Sequence, residues 1–467
     1  MGSEGQPSDA DPRERQAGRD LTVGSVPRHL VAFSLPMLGG NLLQTAYSLI
    51  NAFWVGQFLG TTALAAITVS LPAVFVLIAL AAGLTLATNI LVAQYYGAHD
   101  WPQLKRVVQT SIALVGASSC AFLAVGLIIA PRLLTAINTP PPVLPLAIGY
   151  LRIFLWTLPF SFGIFLIGSM LRGIGDSKTP VYFQTISVIL NAILDPVLMF
   201  GWVGFPRLGL NGTATATIIS QVVAVIGLVI FVARKRRLVT PDWRRVRIDR
   251  AIAWLLVKIG FPAMIQQSVV SISMVVIVSF VSRFGETADA AFGAALRIDQ
   301  ISFLPALTIG MAVSSLAGQN IGARRYARVG EVFWWALLVS GGISGVISVA
   351  VISFPQVALR AFVKQPEVIA IGSGYLRIVG VTYVLYAFLF AANGVINGAG
   401  YTSWTTLISV LGLLGVRLPL AAILPQRMHD VRGIWWAMLI GVGASMVLSL
   451  AYYFSGRWKK PIIRTGL

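Results

Sequence analysis

Runs of apolar residues long enough to cross a hydrocarbon layer as helices occupy most of this chain. They fall near 29–57, 63–92, 107–131, 144–170, 179–203 and 211–233, and again near 252–282, 289–317, 330–354, 370–396, 403–425 and 433–456. A span needs about 20 helical residues. Lipid leaves backbone polar groups no outside partner, so only helices or closed barrels cross it, and barrel strands would be far shorter. The predicted fold class is an all-α membrane protein of twelve transmembrane helices. Composition supports this, since 57% of the residues are hydrophobic and 11% charged, against roughly 25% charged in soluble domains.

An internal repeat organises the spans. GYLRI at 149–153 returns at 374–378, AQYYGA at 93–98 is echoed by GQNIGA at 318–323, and Pro36 answers Pro262, all about 225 residues apart. MLRGIG at 170–175 pairs with VINGAG at 395–400, and Gly212 with Gly433. Each copy holds an even number of spans, so the copies keep one membrane orientation and form two pseudo-symmetric six-helix bundles about an axis along the membrane normal, an arrangement found in secondary transporters. The predicted organisation is a polar tail at 1–25, a first lobe at 26–233, a basic linker at 234–250, a second lobe at 251–457 and a tail at 458–467.

The net charge of +19 would suggest nucleic acid in a soluble protein. Here most lysines and arginines lie in the tails and in the even-numbered connections, so the positive-inside rule accounts for them and places both termini in the cytoplasm of a multi-pass cell-membrane protein. The bilayer is the expected partner, and nucleic acid is not. The first 25 residues lack the apolar stretch of a signal peptide. One cysteine, Cys120, and three histidines leave no disulfide framework and little for a zinc site. Cys120 reads as a packing residue, and His29, His99 and His429 as solvated residues at span edges.

Ionisable groups inside spans mark function by default. Of the 16 acidic residues, only Asp195 and Asp299 stand well inside apolar sequence. Asn191 precedes Asp195 by four residues, which puts both on one helix face. Pro196 removes an amide donor and loosens the carbonyl of Ala192. Thr213, Thr217 and Ser220 form a hydroxyl stripe in the next span, and Asn51 is an isolated amide in the first. Asp195 could carry a proton or ligate sodium with these oxygens. Asp299 is read as half of a structural ion pair with Arg377 or Arg152. Arg152, Arg297, Arg377 and Arg417 outnumber the two buried acids, which leaves room for an anionic cargo. Gln266, Gln267, Asn393, Asn397, Asp299 and Arg297 are candidate cavity residues, Asn393 and Asn397 sharing a helix face. Pro36 and Pro262 suit a hinge or a fixed kink, and the glycines of RGIG and NGAG suit tight turns. No nucleophile with a base and no carboxylate cluster lies at membrane depth, so an integral-membrane enzyme is disfavoured.

Taken together, SLPMLGGNLLQTAYSLINAFWVG, AALRIDQISFLPALTIGMAVSSLAGQNIGA, MLRGIGD and LNAILDPVLMFG resemble the multidrug and toxic compound extrusion (MATE) transporters, over roughly 25–457. The DinF-like branch is the most similar in the first lobe. The resemblance implies the two-lobed fold of the MOP superfamily. It also implies a monomeric antiporter without a cofactor that exports small amphipathic, often cationic, compounds against protons or sodium. The alternative within the superfamily is a flippase or exporter of a lipid-linked or anionic substrate. The family's first-lobe cation site maps onto Asn191, Asp195 and Thr217, the residues that would hold sodium. Its first-span aspartate is Asn51 here, an amide that can bind sodium or a carboxyl group but cannot carry a proton. The acid that another branch places in the seventh span is absent, so the second lobe is not expected to hold that branch's site.

Overall fold

The computed structural model describes residues 18–136, 139–236, 238–240, 248–460 and 462. Most of the predicted amino-terminal tail, much of the basic linker and most of the carboxyl tail lie outside the described residues. Within them the chain is helical, with no strand. The first half contains α1 (Val26–Phe58), α2 (Gly60–Gly97), α3 (Trp101–Ala136), α4 (Leu144–Leu155), α5 (Leu158–Gly173), α6 (Lys178–Phe200) and α7 (Leu210–Lys235). The second contains α8 (Arg250–Ser282), α9 (Glu286–Ser302), α10 (Leu304–Gly322), α11 (Tyr326–Ser353), the short α12 (Pro355–Arg360), α13 (Pro366–Val379) and α14 (Thr382–Gly398). It ends with α15 (Thr402–Ser409), a π-helical turn at Val410–Arg417, α16 (Leu418–Met428) and α17 (Arg432–Phe454).

Among the described residues eight spans are long and apolar enough to cross a membrane, ten when each bent pair counts as one. With α1 and α2, of 33 and 38 residues, the rods match the twelve apolar runs. The runs concealed breaks. α4 and α5 meet at 44° and α13 and α14 at 41°, while α9 gives way to α10 at Phe303. Pro159 and Pro305 stand in the first turns of α5 and α10, where a missing N–H is harmless but the preceding helix cannot continue through the ring. Pro36 and Pro262 instead lie within unbroken α1 and α8.

The halves meet where α2 packs on α8 and α10, and α1 on α10 and α11. The repeat is visible in this contact. Gln94 Nε2 donates to the Gly398 carbonyl at 2.7 Å, and Gln319 Nε2 to the Gly173 carbonyl at 2.8 Å. A Cβ on Gly97 would fall 1.9 Å from the Gln319 oxygen, and one on Gly322 would fall 1.9 Å from that of Gln94. Side chains are thus excluded at two equivalent crossings. The turns RGIG and NGAG close through Gly175 and Gly400, at φ +85° and +89°, conformations that favour glycine.

Residues 18–25 run as a strap across this contact. Leu21 N donates to Gln319 Oε1, Asn320 Nδ2 to the Leu21 carbonyl, Arg325 Nη1 to the Thr22 carbonyl and Arg328 Nη2 to the Gly24 carbonyl. Two readings change, that of His29 as a solvated edge residue and that of Cys120 as a packing residue. His29 is buried, its Nε2 2.7 Å from the Val23 carbonyl, because the strap folds over it. Cys120 is exposed on α3, since that helix turns much of its apolar surface outward.

Candidate functional site

Asp195 and Asn191 lie on one face of α6 and are 2% and 4% exposed. α1 supplies what faces them. Asn51 Nδ2 donates to Asp195 Oδ2 at 2.6 Å and the Tyr47 hydroxyl donates to the same oxygen at 2.9 Å, with Asn51 also 3.1 Å from the Tyr47 hydroxyl. Asn191 Nδ2 donates to Thr217 Oγ1 on α7 at 3.2 Å, and Thr217 donates onward to the Thr213 carbonyl. Gly212 lets α7 approach the backbone beyond Pro196, since a Cβ there would stand 2.8 Å from the Leu198 carbonyl. The structure therefore brings Asp195, Asn191, Asn51 and Thr217 together. Thr213 and Ser220 bond carbonyls of their own helix and take no part. Tyr47 is the member that sequence reasoning missed.

One property decides what this arrangement can do. Asp195 Oδ1 and Asn191 Oδ1 are buried and have no hydrogen-bond partner. An unsatisfied buried acceptor costs on the order of 1–3 kcal/mol. The site thus holds two buried acceptor oxygens on one helix face, each without a donor, and a proton or a small cation would supply what is missing. Among the described residues no three His, Cys, Asp or Glu side chains cluster for a metal. Asp195 lies 17 residues beyond the start of α6, roughly 25 Å along the helix at about 1.5 Å per residue, so the site and the strap occupy opposite ends of the lobe.

Asp299 departs from the expected ion pair. Tyr375 and Tyr383 each donate to one of its carboxylate oxygens, and among the described residues no lysine or arginine pairs with it. Arg152 and Arg377 are both exposed. Arg297 is exposed as well, lying over the Phe362 ring at 5.9 Å. Arg417 differs from these three. It ends the π-helical turn, is 6% exposed, and leaves Nε and Nη2 buried without a partner. π-Helical turns occur often at functional positions.

The remaining second-lobe candidates divide. Gln266 donates to Ser409 at 2.9 Å, and Asn397 accepts from Thr405 at 2.8 Å, in a polar seam joining α8, α14 and α15. Asn393 turns away to α17, where Ser449 donates to it at 2.9 Å. Gln267 is exposed and joins neither group through its side chain.

The MatE family model matches the chain twice, over residues 36–197 and 262–423, beginning at the paired prolines. The Bacillus subtilis (strain 168) protein described as probable multidrug resistance protein YoeA is 32% identical over 443 residues, covering 94% of this chain and 96% of that protein. Its counterpart YpnP from the same organism is 33% identical over 449 residues, with 94% and 97% covered. Among solved structures, the outward-facing conformation of a multidrug resistance MATE family transporter of the MOP superfamily superposes with a TM-score of 0.87 at 25% identity, over 94% of this chain and 97% of that one.

Proposed function

The chain belongs to the MATE family of membrane transporters, and from that premise we propose that it exports amphipathic organic cations in exchange for protons carried by Asp195. The observation that carries this reading is the pair of orphaned oxygens, Asp195 Oδ1 and Asn191 Oδ1. A proton on Oδ1 removes a buried charge and supplies the hydrogen that no neighbouring group donates to this oxygen. When the lobe opens to water or a cationic cargo arrives, the carboxylate is better stabilised charged and the proton leaves. Asn51 and Tyr47 hold Oδ2 fixed, so the exchange is confined to Oδ1.

Sodium at Asp195, Asn191 and Thr217 is the rival for the same place. The Thr217 hydroxyl already accepts from Asn191 and donates to Thr213, which leaves one lone pair, so sodium would have that and the two orphaned oxygens, whereas a proton needs only Asp195 Oδ1. The positive-inside distribution supports a cell-membrane protein with both termini and the strap in the cytoplasm. In that orientation the paired Gln94 and Gln319 bonds close the cytoplasmic end, and export requires them to break and re-form once per cycle. The single chain contains both lobes and works as a monomer.

A second reading, export of an anionic or lipid-linked cargo, draws on Arg417 and its unpaired donors. Reconstituted vesicles separate the two. With a proton or a sodium gradient imposed alone, uptake of a cationic dye is expected to follow the proton gradient and to fall at least tenfold in Asp195→Asn. Undiminished gradient dependence in that variant would overturn the coupling assignment, while an Arg417→Gln variant that loses anionic but keeps cationic cargo would favour the second reading.

A further inference from the structure

A second charged site lies at the strap end, outside the coupling machinery. Arg19, His29, Asp176, Lys178 and Arg236 line a cavity of about 220 Å³ between the strap, α1, the RGIG turn and the ends of α6 and α7. Its charges do not balance. Asp176 Oδ2 accepts from Arg236 Nε and Nη2 at 3.1 and 2.8 Å and from Thr179 Oγ1, and Oδ1 accepts from Thr179 N. That carboxylate is fully used, and among the described residues neither Arg19 nor Lys178 has an ion pair. His29 is 8% exposed, and with Nε2 against the Val23 carbonyl its Nδ1 is left buried with no partner.

We propose that this cavity binds a phosphate group, with Arg19 and Lys178 as its counter-ions, Arg236 as a further donor, and His29 Nδ1 accepting from a hydroxyl on or beside the phosphorus. Two spare cations facing one buried acceptor match an anion that also carries an O–H. The source favoured by the surroundings is an acidic phospholipid. Helices α1 and α6 leave the cavity with exposed apolar flanks, Val31 and Leu35 on one and Tyr182 on the other, at 43%, 63% and 65% exposure. Basic pockets between spans on the cytoplasmic side hold lipid head groups in this way, and tyrosine is common at that depth. Arg19 belongs to the strap, and the strap backbone abuts the RGIG turn, where a Cβ on Gly175 would fall 2.1 Å from the Arg19 carbonyl oxygen. A phosphate joining Arg19 to Lys178 therefore fastens the strap across the contact between the halves.

The test uses the purified full chain in detergent, titrated separately with dioleoylphosphatidylglycerol, dioleoylphosphatidylcholine and inorganic phosphate, with bound lipid read by native mass spectrometry and stability by thermal unfolding. Phosphatidylglycerol retention is expected to exceed that of phosphatidylcholine and to drop at least fivefold in Arg19→Gln/Lys178→Gln, with Arg207→Gln as the control for exposed charge. Should the double variant fold poorly, Lys178→Gln alone serves, because that side chain is exposed and unpaired. Stabilisation by inorganic phosphate that the variant loses, without lipid selectivity, would assign the site to free phosphate rather than lipid. Equal phosphatidylglycerol retention by native and variant chains, with no response to inorganic phosphate, overturns the proposal.

Discussion

The two halves share a scaffold and oppose each other in polarity. In the first, a buried carboxyl group and an amide each leave an oxygen without a donor. In the second, the carboxylate of Asp299 is satisfied by Tyr375 and Tyr383, while the guanidinium of Arg417 keeps Nε and Nη2 buried without an acceptor. Asp195 lies on α6 of the first half, and Arg417 ends the π-helical turn of the second. The two halves thus keep equivalent helices and crossing glutamines while their buried charged groups differ in sign.

The sharpest way to break the comparison is to remove each carboxyl group in turn. Asp195→Asn should abolish gradient-driven dye transport by a factor of ten or more, while Asp299→Asn should keep transport within about twofold. Equal losses would place coupling in both halves. Arg417→Met removes a buried cation that makes no direct ion pair among the described residues, Asp299 acting on it only at longer range, and the desolvation of such a group costs several kcal/mol. It is expected to raise thermal stability by about 1–3 kcal/mol while cationic cargo still moves, measured by unfolding of the detergent-solubilised protein. Loss of stability would show that Arg417 has a partner in the working protein.

Asn51→Asp sharpens the contrast from the other side. It sets a second carboxyl group in the place of an amide now 2.6 Å from Asp195, where two like charges cannot both persist, so the pair must share a proton. The ions exchanged per cargo, read from the gradient needed to balance transport, should rise above the native value. Tyr375→Phe or Tyr383→Phe leaves one Asp299 oxygen without its donor and should cost about 1–3 kcal/mol of stability, with transport little changed. The smallest difference is expected between Gln94→Ala and Gln319→Ala. Their bonds are equivalent across the repeat, so turnover should change to the same extent in both, and a large asymmetry would mean that the halves do not move as equals.

The fold was legible because lipid allows few alternatives and because the repeat counts the spans twice. The first-lobe site was legible because Asp195, Asn191 and Asn51 are anomalies in apolar sequence. Tyr47 was not, since a tyrosine in an apolar run is unexceptional and its only signal was standing four residues before Asn51. The partner of Asp299 was misjudged because charge invites an ion pair, whereas Tyr375 and Arg377, two residues apart, point about 200° apart around a helix, and the tyrosine faces inward. Asn393 and Asn397 share a face, yet α14 lies between two neighbours, and the amides find different ones. The strap left no trace because most of the bonds that hold it end on backbone carbonyls, which carry no side-chain signature.

The most direct test of the polarity difference is to count protons released when a cationic cargo binds the detergent-solubilised protein in weakly buffered solution. About one proton per cargo is expected from the native chain and from Asp299→Asn, and none from Asp195→Asn. Undiminished release from Asp195→Asn would contradict the assignment of coupling to the first half.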